Sequence, residues 1–314
     1  MQCVNDGKPA RYECTACGRL FCEECIKHVA FQRTTVELCP VCGNPVRQAG
    51  AKPLSEKSFW YYLFTAFYYP LTGKGPLVLL INWILVGFAL ALSYCAIVVG
   101  LTRIIGFLGL GLAYGYVYFL LFTVIRKTSM GEDEPPTTPD LENLVDVLPT
   151  LWKVIMLAAV WTGPAVILSH LADGTPQKVD QGVVLTLGGP ITLWSYIIGP
   201  GHTDVVRFLA GLGAFLLPMS LLAVATFNSL RGLHPTPILI TIMRVPGQYV
   251  VCCAVFYLVL LLREVLWVAV AAASSPLLGL CFRPLFLVYS LYLLGRMLGG
   301  LHAANSTRLG WVRT

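Results

Sequence analysis

Seven of the eleven cysteines lie in the first forty-two residues, and their spacing is that of metal ligands. Cys3 is followed three positions later by Asp6; then come Cys14-x-x-Cys17, Cys22-x-x-Cys25 and Cys39-x-x-Cys42. Two residues between thiolates let both sulfurs turn onto one ion, and a structural zinc site takes four such ligands in a tetrahedron. Glycine and proline punctuate the pairs as they do in zinc knuckles: Cys17-Gly18, Cys39-Pro40, Cys42-Gly43. A disulfide framework is the competing chemistry. The odd number of cysteines and their CxxC pairing weigh against it. No cleavable signal peptide is visible, because the first apolar stretch begins near residue 59, behind a polar head. The head is therefore expected in the reducing cytosol, holding zinc.

A segment of this size cannot bury much hydrocarbon, and chains below about 40–50 residues usually need staples. Structural zinc supplies folding free energy on the order of 10 kcal/mol. Tyr12, Leu20, Phe21, Ile26, Val29, Leu38 and Val41 are expected to pack around the ions. Eight basic and six acidic side chains through Lys57 give +2; seven thiolates and two divalent ions bring the loaded head to about −1. Phosphate binding needs a concentrated positive surface. The expected partner is a cytosolic protein, not nucleic acid.

The order of the pairs resembles the B-box type of zinc finger: a Cys-x-x-His/Asp pair, a CxxC, a four-residue gap, a second CxxC and a final pair. The resemblance covers about the first 45 residues and implies a cross-braced fold. By it, Cys3, Asp6, Cys22 and Cys25 hold one zinc, and Cys14, Cys17, Cys39 and Cys42 hold the other. Asp6 stands where the family often has His, and the last pair is Cys-Cys where the family has His-His. His28 is the substitute for Asp6; otherwise it is an exposed residue of a short helix after Cys25. A RING finger fits worse, since it requires a longer gap before its second pair and a Cys-x-His step.

These ligands must be carried by a chain that is otherwise built for lipid. The apolar fraction is 56%, charged residues are 12% and the mean hydropathy is +0.72, against about 25% charge in an ordinary soluble chain. The expected fold class is an all-α polytopic membrane helix bundle of about six spans with a small N-terminal zinc-knuckle domain. Its parts are the finger (1–45), a linker (46–58), an aromatic interfacial segment (59–76), a multi-pass domain (77–301) and a cytoplasmic tail (302–314). From Phe59 to Tyr69, eight of eleven residues are aromatic. Trp and Tyr favour the headgroup layer, so an interfacial helix against the cytoplasmic leaflet is expected, ended by Pro70 and the Gly73–Pro76 turn.

Runs near the twenty residues needed for a crossing are Leu77–Gly100, Ile104–Ile125, Leu151–Leu171, Val205–Phe227, Tyr249–Ala273 and Leu285–Leu301. Gly182–Gly201, broken by Gly188-Gly189-Pro190, reads as re-entrant, interfacial or a seventh span. Six spans with the head inside place Arg126, Lys127, Lys153, Arg231, Arg244, Arg308 and Arg313 on the cytoplasmic side, which obeys the positive-inside rule. The expected location is thus the cell membrane, with both termini cytoplasmic. Leu141, Leu144, Val145 and Leu148 share one helical face in the acidic loop after the second span. That loop, and Val245-Pro246-Gly247-Gln248-Tyr249, resemble bacterial multi-pass membrane domains of unknown function, a resemblance that implies no activity.

Ionisable groups inside spans default to function. Arg263-Glu264 is the leading pair; neighbours on a helix point about 100° apart, so each is expected to find a partner on another helix, or the run is two pieces with the pair at an interface, and a structural or interfacial role is favoured over transport. His170 and Arg207 read as snorkelling span ends, His202-x-Asp204 as a polar loop or weak metal site, and Cys252-Cys253, Cys95 and Cys281 as packing. Gly106, Gly109, Gly111 and Gly115 are spaced for close helix contact. No nucleophile elbow, phosphate loop, HExxH or carboxylate pair is present, so no enzyme activity is expected. The expected function is a membrane-anchored scaffold or regulator; the alternative is a transporter or channel whose gating the finger influences.

Overall fold

The computed structural model describes residues 2–14, 17–31, 34–42, 46–48, 57–99, 103–136, 147–165, 167–168, 203–273 and 276–309. Two compact units divide the chain: Met1–Glu56 with Ala304–Thr314, and Lys57–Ala303.

In the head, β1 (Tyr12–Cys14) is the middle strand of a three-stranded antiparallel sheet between β2 (Leu20–Phe21) and a strand at Val46–Gln48. That last strand uses residues read from sequence as the start of the linker. Between them, β3 (Lys27–Phe31) and β4 (Thr34–Leu38) pair as a hairpin with Val29 opposite Val36; the strand at Val46–Gln48 is β5. The helix expected after Cys25 is therefore a strand, and His28 sits in it opposite Glu37. The cause is composition: Val29, Phe31, Thr34, Thr35 and Val36 are β-branched or aromatic residues that suit a pleated surface. Tyr12, Phe21, Ile26 and Val46 form the core with Cys3, Cys14, Cys22 and Cys39. Val41, expected inside, is 51% exposed.

The second unit is helical. α1 (Phe59–Thr65) starts at Ser58, whose hydroxyl accepts the Tyr61 N–H, and a 3-10 turn follows at Tyr69–Leu71. Then come α2 (Gly75–Val99), α3 (Arg103–Ser129), α4 (Val147–Trp161), α5 (Asp204–Phe227), α6 (Pro235–Arg244), α7 (Pro246–Ala273) and α8 (Pro276–Leu309). Among the described residues, five helices are long and apolar enough to cross a membrane, at Gly75–Leu92, Leu108–Ser129, Asp204–Phe227, Pro246–Val270 and Phe282–Ser306. α4 is a shorter apolar helix over the first part of the expected third span. α8 runs on past Leu301 to Leu309, with a break in helical geometry at Asn305, so the expected tail begins as helix. Residues 137–146 and 169–202, which include the acidic-loop helix, His170, Gly182–Gly201 and His202, lie outside the described residues, as do the side chains of Cys95 and Cys281.

The aromatic segment is ordered by packing. Phe59, Tyr62, Leu63, Ala66 and Tyr69 are buried, while Trp60, Tyr61, Phe64, Phe67 and Tyr68 are exposed. Tyr62 lies directly on α8: a Cβ added at Gly300 would come within 2.2 Å of the Tyr62 Cβ. At the α3–α4 contact, a Cβ at Gly115 would meet Val147 at 2.8 Å, the close approach that small residues permit.

Pro218 interrupts α5, and its missing N–H deprives the Ala214 carbonyl of a helical partner. α7 supplies replacements. The Tyr257 hydroxyl donates to Ala214 O at 2.6 Å, and the Tyr249 hydroxyl donates to Phe215 O. Cys252 and Cys253 are buried on this same helix, Cys253 Sγ lying 3.8 Å from Phe215 O; they are packing residues within the protein, not lipid-facing ones. At the far end of α5, Asn228 turns left-handed at φ 52°. Arg126 donates to Ala225 O (2.8 Å) and to Asn228 Oδ1 (2.7 Å), and Lys153 donates to Asn228 Oδ1 (2.6 Å). Cations at a helix C-terminus offset its negative dipole end.

Candidate metal centre

Turns set the head's ligands. Gly18 takes φ +66°, which lets its N–H donate to Cys14 O at 3.0 Å, and the Cys17 N–H points to Cys14 Sγ at 3.5 Å. The first loop closes in the same manner. Gly7, at φ +71°, donates to Cys3 O (3.0 Å), Lys8 N–H donates to Asp6 Oδ1 (3.2 Å), and Cys3 N–H donates to Lys8 O (2.8 Å). These turns aim side chains back across the sheet.

Two groups of ligand atoms result, each with all four atoms within 4.8 Å of one another: Cys14, Cys17, Cys39 and Cys42; and Cys3, Asp6, Cys22 and Cys25. The pairs alternate along the chain, so each group takes one pair from either side of the other. Four thiolates about 2.3 Å from one ion stand about 3.8 Å apart. Cys14 Sγ and Cys42 Sγ are 3.4 Å apart, and Cys17 Sγ and Cys39 Sγ 3.9 Å. In the second group the Cys22 thiol donates to Asp6 Oδ2 at 3.2 Å. Both groups could hold a metal ion, one with four sulfurs, the other with three sulfurs and a carboxylate oxygen. The side chain of His28 lies outside the described residues.

Electrostatics distinguish the members. The hydrogen bond from the Cys3 thiol, reinforced by that from Cys22, holds the Asp6 carboxyl down to about 2. Cys25 is pushed up to about 12, first by its hydrogen bond with Cys22 and then by burial. Crowded thiols cannot all ionise without a compensating cation, and ligand protons must leave as metal enters. Lys8–Glu24 and Arg11–Glu23 ion pairs lie on the exposed surface beside this group, where such pairs contribute little.

No protein-family model, curated protein or solved structure matches this chain. The chemistry of its sites therefore rests on the residues themselves.

The helical unit carries polar sites of its own. Arg263 and Glu264 pair with each other after all, Nε to Oε1 at 2.9 Å and Nη2 to Oε1 at 2.5 Å. The long guanidinium side chain folds back across the roughly 100° that separates neighbouring positions. Arg207 pairs with Asp204 one turn earlier, at 3.6 Å. Sequence reasoning missed the largest buried side chain, Arg296, which is 2% exposed. It donates to Glu132 O (2.7 Å) and Asp133 Oδ1 (2.6 Å), and its guanidinium lies 4.7 Å from the ring centres of both Tyr62 and Tyr69. Lys57 pairs with the same Asp133. Burial raises the Asp133 pKa, but the bonds from Lys57 and Arg296 outweigh it and hold the carboxyl below its ordinary range. A second network was also missed. The Tyr116 hydroxyl donates to Asn82 Oδ1 (2.5 Å), and Asn82 Nδ2 donates to Val78 O (2.8 Å) and the Tyr292 hydroxyl (3.2 Å). The available cue was a lone Arg or Asn within an otherwise apolar run.

Proposed function

We propose that this is an integral membrane protein whose cytosolic head is a cross-braced, two-zinc finger of the B-box type, and that the head holds a cytosolic protein partner at the bilayer. The observation that carries the reading is the convergence of eight ligands into two alternating groups of four. Zinc suits an S₄ set and an S₃O set of this kind. A near-neutral loaded head favours a protein partner over nucleic acid. In this reading α4 and the residues after it supply a sixth crossing, and basic residues keep both termini cytosolic.

The transporter or channel reading has one observation in its favour, a cavity lined by Arg263 and Glu264. Its volume of about 40 Å³ gives room for about three or four waters at about 10–15 Å³ each, which favours a local site over a solute path.

The test is cross-linking in intact membranes, comparing the full-length protein with the Cys14→Ser/Cys22→Ser double variant. A cytosolic protein captured by the first and lost from the second supports the scaffold reading. Identical captured sets contradict it.

A further inference from the structure

A notch at the α7–α8 end of the bundle has a lining whose charge is unbalanced. Arg263, Glu264 and Trp267 of α7 line it with Arg283 of α8 and Tyr114 and Tyr118 of α3; aliphatic side chains complete the wall. Arg263 and Glu264 neutralise each other. The Arg283 guanidinium stacks 5.3 Å from the centre of the Trp267 ring, and among the described residues no carboxylate pairs with it. Two guanidiniums and one carboxylate give the described lining a charge of +1.

Its position is informative. Arg283 stands at the start of the apolar window of α8, which begins at Phe282, and Arg263 lies about 10 Å along the helix from Val270, where the window of α7 ends, at 1.5 Å per residue. Beside the notch, Leu262, Val265, Leu266 and Phe282 are exposed, an apolar surface suited to acyl chains. A cavity of about 40 Å³ accepts a pair of oxygens, not a whole solute.

We infer that this notch binds the monoanionic phosphodiester of a membrane lipid. Its unesterified oxygens take the place of water against Arg283 and Arg263, while its acyl chains lie along α7. Trp267 holds the Arg283 plane so that its donors face the oxyanion, and Glu264 limits the charge so that one anion suffices. The inference does not depend on the zinc reading of the head.

Native mass spectrometry of the full-length protein tests it, with phosphatidylglycerol and phosphatidylcholine of identical acyl chains. Wild type should retain one phosphatidylglycerol in preference to phosphatidylcholine, whose choline cation faces a positive notch. Arg283→Gln should weaken phosphatidylglycerol binding about ten- to a hundredfold, the loss of a hydrogen bond to a charged group. Arg283→Lys should recover part of it, and Glu264→Gln should strengthen binding. A merely structural notch would move Arg283→Gln and Glu264→Gln in the same direction, and that result overturns the proposal. So does Arg283→Gln binding equal to wild type, or displacement of the lipid by equimolar inorganic phosphate, which would assign the site to a free anion. If Glu264→Gln fails to fold, Arg283→Glu at the exposed position replaces it, and unchanged binding there also overturns the proposal.

Discussion

The head and the helical unit solve opposite problems. Half of the head's buried core is cysteine, with only Tyr12, Phe21, Ile26 and Val46 beside four thiols. The helical unit buries long apolar faces and then spends its few polar groups on fixing helices together, as at Arg296, Asn82 and the tyrosines over the Pro218 break. In the proposed two-zinc reading ligand chemistry specifies the first fold; hydrocarbon burial, with polar cross-links, specifies the second. The same residue type therefore means different things in the two units. Cys39 is a candidate ligand, whereas Cys252 is a small apolar side chain.

The comparison breaks most visibly on metal removal. A strong chelator should unfold the head, with a loss on the order of 10 kcal/mol, and leave the helical far-ultraviolet circular dichroism signal in place. Loss of both together would show that the two units are not independently specified. Next in size is Arg296→Gln, which removes the donor to Glu132 O, one of the two cations on Asp133 and the guanidinium beside the Tyr62 and Tyr69 rings. It should cost about 1–3 kcal/mol, the penalty for a buried polar group left without its partner, read as a lower thermal midpoint of the helices with the metal content unchanged.

Acid separates the units by mechanism. The Asp133 pKa is depressed in the folded protein, so its contribution is present above the unfolded value of about 3.9 and is lost as pH falls through the folded value. Asp133 is 44% exposed, so the contribution is modest, below about 1 kcal/mol. Asp133→Asn should flatten the decline of helix stability below about pH 4. The head should fail at higher pH, since its thiolates must stay deprotonated to hold metal. The smallest effect is expected from Tyr257→Phe, which removes the donor to the carbonyl freed by Pro218. It should lower the helical midpoint by the equivalent of about 1 kcal/mol and leave the head untouched.

Much of this was legible in the sequence. The CxxC ladder marks six of the eight candidate ligands, because the spacing is itself the chemistry; Cys3, Asp6 and the division into two groups came from the resemblance to a B-box finger. The five long apolar helices follow from hydropathy. Helix ends were less legible: α1 stops at Thr65, short of Pro70, and α8 passes Leu301 through polar residues that hydropathy does not mark as helix. The Lys27–Leu38 hairpin was hidden by a reading that extended the knuckle into a helix, although its β-branched residues were present. The partners of Arg263 and Arg296 could not be read at all. A guanidinium reaches far enough to choose among an adjacent residue, a loop carbonyl and a distant ring, and only the fold determines which is near.

The most direct test of the alternating two-ion head is the zinc content of three purified full-length proteins. Wild type should carry two ions per chain, Cys14→Ser/Cys39→Ser one, and Cys14→Ser/Cys22→Ser none. Sequential pairing, with Cys14, Cys17, Cys22 and Cys25 around one ion, would reverse the order of the two variants. That reversal, or a wild-type protein without zinc, would contradict the cross-braced head.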